Sequence, residues 1–326
     1  MKRPRFNLPK KLKCKYGADI SEPDENGYID MLGIGIKLNG KNGNLKSIDL
    51  NQSKYIDKLK AKVIGESAKV REYKTPLDPG FYFCPHENKT MINGKELAFK
   101  IKEYREIIGA LMYLSMTTRP DISYAANYLS RFQLYPHSLL DKQLKRIIHY
   151  LVATKEYKIT YSRKRQDPQF DQLIGFTDAD LGADKCTGRS TIANVFMYMN
   201  GPIYWKTRCS FLAALSSTES ELVGMVTAGN EMVYLIIVMN ALKIKPQDGS
   251  YTIYADNTSA IALADTAPCK GRTKHFSMMI AKAHDQQEKQ NINFEYVKSE
   301  EQLADILTKP VLTTVMQHIV GKILNV

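Results

Sequence analysis

Tryptophan occurs once in this chain and cysteine only five times, with no two cysteines in a Cys-x-x-Cys arrangement. Thiols scattered in that way supply neither a structural zinc site nor a paired disulfide framework, and they suit a reducing compartment. Long apolar runs are missing too. The longest, residues 232–239, falls far short of the roughly 18 residues that a membrane span requires. Acidic residues are scarce in the first half. Residues 1–165 carry 32 lysines and arginines against 17 aspartates and glutamates, whereas residues 166–326 carry 14 against 17. Apolar residues are plentiful at 44%, which excludes a chain too polar to build a core.

The 326 residues suffice for two average domains, and the charge suggests that the two do different work. The overall net charge of +12 is carried by the first half. A basic surface attracts polyanions through phosphate contacts and counterion release, although it also serves plain solubility. An acidic half that handles the same polyanion needs a reason to carry carboxylates, and bound divalent cations are the usual one. Residues 1–16 hold seven lysines and arginines with Pro4, Pro9 and no acid. Prolines spoil an amphipathic presequence, so this segment reads as a basic arm or as the trailing end of a truncated larger protein.

Alternation over 28–38, a turn at Asn39-Gly40-Lys41-Asn42-Gly43 and a return over 45–50 predict a β-hairpin. Helices are expected over 52–63, 103–115, 121–132 and 138–153, with a proline-rich loop over 75–93. Lys142, Lys145, Arg146 and His149 share one face of the last of these helices, either as solvated surface or as a groove that tracks a phosphate backbone. The polar stretch 162–171, with Pro168, marks a boundary between domains at 1–165 and 166–326. Beyond it, strands are expected over 172–178, 191–199 and 202–206, the last two joined by Asn200-Gly201, with a short extension over 211–215. A long helix over 218–242 follows, capped by Ser216, Ser217 or Thr218, with Glu221 completing a capping box from Thr218. A strand over 251–256, helices over 257–263 and 274–290, a strand over 292–297 and a helix from 300 that contains Asp305 complete the chain. This order predicts an α/β fold, a mixed sheet with helices packed on it.

Two of these strands end in aspartate, Asp178 and Asp256. Sites in such sheets gather at the carboxyl ends of strands, and a carboxylate at the edge of a core is costly without a cation. Glu219 or Glu221, from the first turn of the long helix, and Asp305 fit the same edge. Each of these acids alone is ordinary turn or helix-dipole chemistry. Four together repel one another, and two divalent cations relieve that repulsion while clamping the attacking and leaving oxygens of a phosphodiester displacement. Magnesium suits an all-oxygen site.

The same residues carry a resemblance. Gly175-Phe176-Thr177-Asp178-Ala179-Asp180, Ile203-Tyr204-Trp205-Lys206, Ala214-Leu215-Ser216-Ser217-Thr218-Glu219-Ser220-Glu221, Tyr254-Ala255-Asp256-Asn257, Arg272-Thr273-Lys274-His275 and Gln302-Leu303-Ala304-Asp305-Ile306-Leu307-Thr308-Lys309-Pro310 stand in one order. That order and spacing resemble the ribonuclease H domain of copia-type LTR-retrotransposon Pol polyproteins. Leu32-Gly33-Ile34-Gly35-Ile36, Thr75-Pro76-Leu77-Asp78, residues 104–114 and Thr118-Arg119-Pro120-Asp121-Ile122 resemble the primer-grip hairpin, thumb and connection of the preceding reverse transcriptase. The resemblance implies a ribonuclease H-like five-stranded mixed sheet, three antiparallel strands continued by two parallel ones, with flanking helices. A mostly helical reverse-transcriptase remnant with a β-hairpin precedes it.

It further implies cleavage of the RNA strand of RNA–DNA hybrids with two Mg2+ ions, or Mn2+ in their place. One ion is expected between Asp178 and Asp256, the other near Asp178, Glu221 and Asp305. Glu221 fits the family's ligand glutamate better than Glu219, because Leu222 follows it and Gly224 stands three residues on. Ser216 and Asn257 are expected to touch nucleic acid, and Lys142, Lys145 and Arg146 to hold the duplex. Other Pol and Gag products are expected partners, with no membrane and no small-molecule substrate, in the cytoplasm within a virus-like particle or in the nucleus.

Departures from the family pattern matter as well. The polymerase's Tyr-x-Asp-Asp motif, fingers and most of the palm are absent, so DNA synthesis is not expected, and the segment 10–153 is expected to expose apolar surface and to be poorly stable alone. Leu181 replaces the usual tryptophan, Ile192-Ala193-Asn194 replaces Ser-Gly-Tyr, and Cys209 stands where glutamine is common. The mobile histidine of some ribonucleases H has no counterpart in 297–304. His275 reads as structural or contact-making, and Trp205 as core. The rival reading is an unused transposon remnant that only binds nucleic acid.

Overall fold

A computed structural model describes residues 22–41, 44–87, 94–135, 137–162, 172–211, 214–244, 249–266 and 277–326. The basic arm, the boundary near 165 and His275 lie outside the described residues. Strands β1 (Ile29–Met31), β2 (Ile34–Lys41), β3 (Asn44–Asn51) and β4 (Ile159–Ser162) form an antiparallel sheet in that order. The hairpin follows the sequence pattern, and its bulge at Asn39/Gly40 requires glycine, because a Cβ there falls 2.1 Å from the Asn44 carbonyl oxygen. The pairing of β4 with β3 was not anticipated. Helices α1 (Ser53–Val63), α2 (Gly94–Thr117), α3 (Ser123–Ser130) and α4 (Ser138–Ala153) complete the first half. Leu140, Leu144, Ile147, Ile148 and Leu151 form the buried stripe of α4 at helical spacing.

The second sheet has the order β7-β6-β5-β8-β9, built from β5 (Ile174–Asp184), β6 (Arg189–Tyr198), β7 (Gly201–Cys209), β8 (Tyr251–Ala255) and β9 (Ile292–Tyr296). Neighbours are antiparallel from β7 to β5 and parallel from β5 to β9. This is the expected α/β sheet, with three antiparallel strands continued by two parallel ones. Residues 211–215, expected to extend it, form no strand where they are described, and Phe211 and Leu215 are exposed. Helices α5 (Ser217–Ala241), α6 (Thr258–Ala264) and α7 (Ser277–Gln290) lie on one face. Leu222, Met225 and Met232 pack there with Phe196, Ile253 and Ile280. By length and composition α5 is apolar enough to cross a membrane, which its longest unbroken run does not suggest, yet most of that stretch is buried inside this protein.

The other face of the sheet meets the first half. Ile174, Phe176, Ala193, Val195 and Met197 share one cluster with Ile122, Leu129, Ile147 and Leu151, and with Ile306 of α8 (Asp305–Thr308) and Ile319 of α9 (Thr313–Ile323). The first half therefore buries part of its apolar surface against the second, while Leu32, Phe99, Met116 and Leu134 stay exposed. Strand β6 is consequently buried on both sides along most of its length. Polar bonds cross the same seam. Asn127 Nδ2 donates to the Thr207 carbonyl (3.1 Å), Trp205 Nε1 to that of Ser115, and Lys158 and Asn325 exchange backbone hydrogen bonds. Trp205 is thus held in the seam, as a core reading of it requires.

Beside this seam Arg119 is 1% exposed and forks onto Asp121, with Nε to Oδ1 at 2.9 Å and Nη2 to Oδ2 at 2.6 Å. Tyr150 donates to the same carboxylate at 2.8 Å, and Arg119 also reaches Thr154. Removing one partner of such a pair leaves a buried charge uncompensated. Arg119→Met is expected to lower unfolding stability by about 3–5 kcal/mol in urea denaturation. A loss under about 1 kcal/mol contradicts that role.

Candidate metal centre

Strand pairing brings the first two acids level. Phe176 pairs with Tyr254 in the parallel register of β5 and β8, and continuing that register sets Asp178 beside Asp256. β8 ends at Ala255, so Asp256 leaves the sheet at its carboxyl end. β5 instead runs on to Asp184 with β6, which corrects the expectation that it stops at Asp178. Asp178 is a mid-strand residue, 3% exposed.

Asp305 opens the one-turn helix α8, after a separate 3-10 turn over Ser299–Glu301, and does not lie inside a longer helix. Its placement depends on buried neighbours that the sequence reading did not single out. Gln302 Nε2 donates to the Thr177 carbonyl at 3.0 Å, while its Oε1 accepts from the Ala304 N–H at 3.2 Å. One amide thus ties the residue before Asp178 to the residue before Asp305. Thr308 Oγ1 donates to Asp178 Oδ2 and bonds the Asp305 carbonyl at 3.1 Å. Their only sequence signal is membership of the run 302–310.

Asp178, Asp256 and Asp305 each offer an oxygen, and the three oxygens lie within 4.8 Å of one another. Ser299 Oγ donates to Asp256 Oδ2 at 2.9 Å, and Lys309 Nζ stands 3.0 Å from Asp305 Oδ1 and 3.7 Å from Asp178 Oδ2. Burial would lower the Lys309 ammonium's pKa, but Asp178 and Asp305 outweigh it and hold the value above its ordinary range. Asp180, half-buried on the next inward position of β5, has its carboxyl pushed up by desolvation against the pull of Lys309.

Glu219 and Glu221 separate by their partners. Ser216 caps α5, accepting from the Glu219 N–H at 3.2 Å, and Glu219 Oε2 accepts from the Leu215 N–H at 2.6 Å. Of the three expected caps Ser216 is the one used, and its reciprocal partner is Glu219, not the Glu221 expected to pair with Thr218. Glu221 is left free of the cap, buried, and turned toward the aspartates. Gly224, one turn on, permits this closeness, since a Cβ there already falls 3.3 Å from Thr177 Oγ1. Desolvation, then Asp178 and Asp256, push the Glu221 carboxyl up to about 9. Desolvation and Asp178 push Asp305 up to about 6.

This donor set suits a hard divalent cation. It is all oxygen, and Glu221 Oε2, although buried, accepts no hydrogen bond. A buried carboxylate oxygen without a donor is costly unless a proton or a cation supplies the missing charge.

The expected nucleic-acid contacts are less available. Ser216 is occupied by its cap, and Asn257 Oδ1 accepts from the Ala260 N–H at 3.0 Å to cap α6. Arg146 donates to Thr75 Oγ1 at 2.9 Å and lies 4.3 Å over the Tyr73 ring, so it pins the 73–78 segment. Lys142 and Lys145 stay exposed beside Lys69, Arg71 and His149 along an open cleft of about 650 Å³.

No family model matches the chain. It is 31% identical over 276 residues, 85% of its length, to the retrovirus-related Pol polyprotein of the Arabidopsis thaliana transposon RE1. Against that of the Nicotiana tabacum transposon TNT 1-94 it is 29% identical over 262 residues, 80% of its length. The chain belongs to the retrovirus-related Pol polyproteins of copia-type transposons. It spans 18% and 19% of those two relatives. A stretch of 134 residues, 41% of this chain, is also 34% identical to 92% of the secreted RxLR effector protein 161 of Plasmopara viticola. The crystal structure of LC11-RNase H1 in complex with an RNA/DNA hybrid overlaps 42% of this Pol segment and 94% of its own chain, at 14% identity and a TM-score of 0.31.

The raised carboxyls set a pH dependence for this Pol segment. Folded Glu221 holds its proton to about pH 9, while an unfolded glutamate releases it near 4.5. The folded state binds the extra proton across that window, so stability falls as pH rises through it. In chelator the thermal midpoint is expected to fall between about pH 5 and pH 9, and Glu221→Gln to flatten the upper part of that fall. A midpoint that climbs over this range in the unmodified chain contradicts the assignment.

Proposed function

We propose that this chain is the ribonuclease H of a copia-type Pol polyprotein, cutting the RNA strand of RNA–DNA hybrids with divalent metal and without polymerase activity. The observation that carries this reading is the convergence of Asp178, Asp256 and Asp305 within 4.8 Å, from three distant parts of the chain, with buried Glu221 beside them. Asp178, Asp256, Asp305 and Glu221 would hold two Mg2+ ions, or Mn2+ in their place. Bound there, such ions make water acidic enough to attack a phosphodiester and stabilise the leaving oxygen.

The chain's own residues do the positioning. Thr308 Oγ1 holds the Asp178 carboxylate, Gln302 ties the backbone beside Asp178 to that beside Asp305, and Glu219 rather than Glu221 completes the α5 cap. Selection of RNA would come from 2′-hydroxyl contacts in the wide minor groove. The basic first half, with Lys69, Arg71, Lys142 and Lys145 along one cleft, would grip phosphates without sequence preference.

The test is a gel assay with an RNA–DNA hybrid labelled on the RNA strand. Cleavage is expected with Mg2+ or Mn2+, none with chelator, and none for Asp178→Asn, whose hybrid binding and thermal midpoint stay at or above those of the unmodified chain. Undiminished cleavage by Asp178→Asn overturns the site. Hybrid binding with no metal-dependent cleavage by the unmodified chain favours a remnant that only binds nucleic acid.

A further inference from the structure

Among the described residues, Lys309 is the cationic side chain that stands inside the acidic cluster. Its ammonium lies 3.0 Å from Asp305 Oδ1 and 3.7 Å from Asp178 Oδ2, and both aspartates are buried residues. It thus takes a position in which a divalent ion bridging the same two residues would feel strong like-charge repulsion. Lys309 follows the last residue of α8, its side chain is 37% exposed, and its backbone has left helical geometry (φ −148°, ψ 158°). A long, partly solvated lysine stem at the end of a one-turn helix has room to swing outward.

The neighbouring groups show why a lone ammonium is a partial solution. It pairs by charge with Asp178 and Asp305, yet Asp305 Oδ1 is not well satisfied by it and Glu221 Oε2 has no donor. One positive charge among four acids holds the lip together without neutralising it, whereas a divalent ion brings twice that charge.

We propose that Lys309 is a resident counter-cation, a positioning residue that holds the acidic site together in the absence of divalent metal and is displaced when metal enters. This rests on the metal-binding reading above. The side chain therefore opposes metal binding while stabilising the empty site, and the two effects have opposite signs on one substitution. A merely structural lysine would not show this pairing, because its loss weakens the fold and the site together.

The experiment compares the full chain with Lys309→Gln and Lys309→Arg, titrating Mn2+ by calorimetry and reading thermal midpoints in chelator and in Mg2+. For Lys309→Gln, the midpoint in chelator is expected to fall by several degrees, Mn2+ affinity to rise on the order of tenfold, and the upward shift produced by Mg2+ to exceed that of the unmodified chain. Lys309→Arg, which keeps the charge, is expected to stay near the unmodified affinity. If Lys309→Gln loses its cooperative transition in chelator, recovery of that transition with Mg2+ supports the proposal, and failure to recover overturns it. Unchanged or weaker Mn2+ affinity in Lys309→Gln, with normal binding by the unmodified chain, overturns the role of Lys309 alone. Absence of Mn2+ or Mg2+ binding by the unmodified chain overturns the metal-binding reading and this proposal with it.

Discussion

Mutual repulsion among four carboxylates governs this molecule. Asp178, Asp256 and Asp305 meet within a few ångströms at one lip of the second sheet, and burial, then Asp178 and Asp256, push the Glu221 carboxyl well up. Folding alone does not favour such a cluster, because each charge loses water and gains a like-charged neighbour. The fold nevertheless enforces it. Parallel register levels Asp178 with Asp256, Gly224 lets α5 come down onto Thr177, and the Gln302 amide locks the last turn to β5. An arrangement held at that cost is understandable if a cation completes it. In the absence of metal the chain supplies Lys309 and protons as partial substitutes.

The remainder of the architecture supports that lip from behind. Strand β6 is buried on both faces, with α5 and α7 on one side and the helices of the first half on the other. The basic half is thus packed against the sheet that bears the acids. Trp205, Asn127 and the backbone pair of Lys158 with Asn325 fasten the seam, and the Arg119–Asp121–Tyr150 group braces the first half beside it. In the proposed function this rigid seating matters, since a duplex gripped by Lys142 and Lys145 must present its backbone at a fixed distance from Asp178. The positive field of one half offsets the negative field of the other as a polyanion approaches.

Most of the fold was legible because its signals are local. Alternation and Asn200-Gly201 marked β6 and β7, and helical spacing marked α4. The acids were legible because four of them fall at comparable places in one strand-and-helix order, even though Asp178 proves to lie within β5 and not at its end. Reading failed where partners are distant in sequence. β4 is too short to announce itself without β3, and Arg146 resembled a free phosphate contact until Thr75, 71 positions away, proved to hold it. The sequence leaves the α5 cap open among Ser216, Ser217 and Thr218, which are chemically alike, and its capping-box pattern points to Thr218 with Glu221. Only geometry shows that Glu219 closes the cap and leaves Glu221 unspent. Gln302, Thr308 and Lys309 carry no pattern of their own, since their roles exist only once β5 lies beside them.

Anomalous diffraction from a Mn2+-soaked crystal tests the central claim most directly. The account predicts strong density among Asp178, Glu221, Asp256 and Asp305, with the Lys309 ammonium moved out of the cluster. Manganese density elsewhere on the protein, with none at this lip and Lys309 still between Asp178 and Asp305, would contradict it.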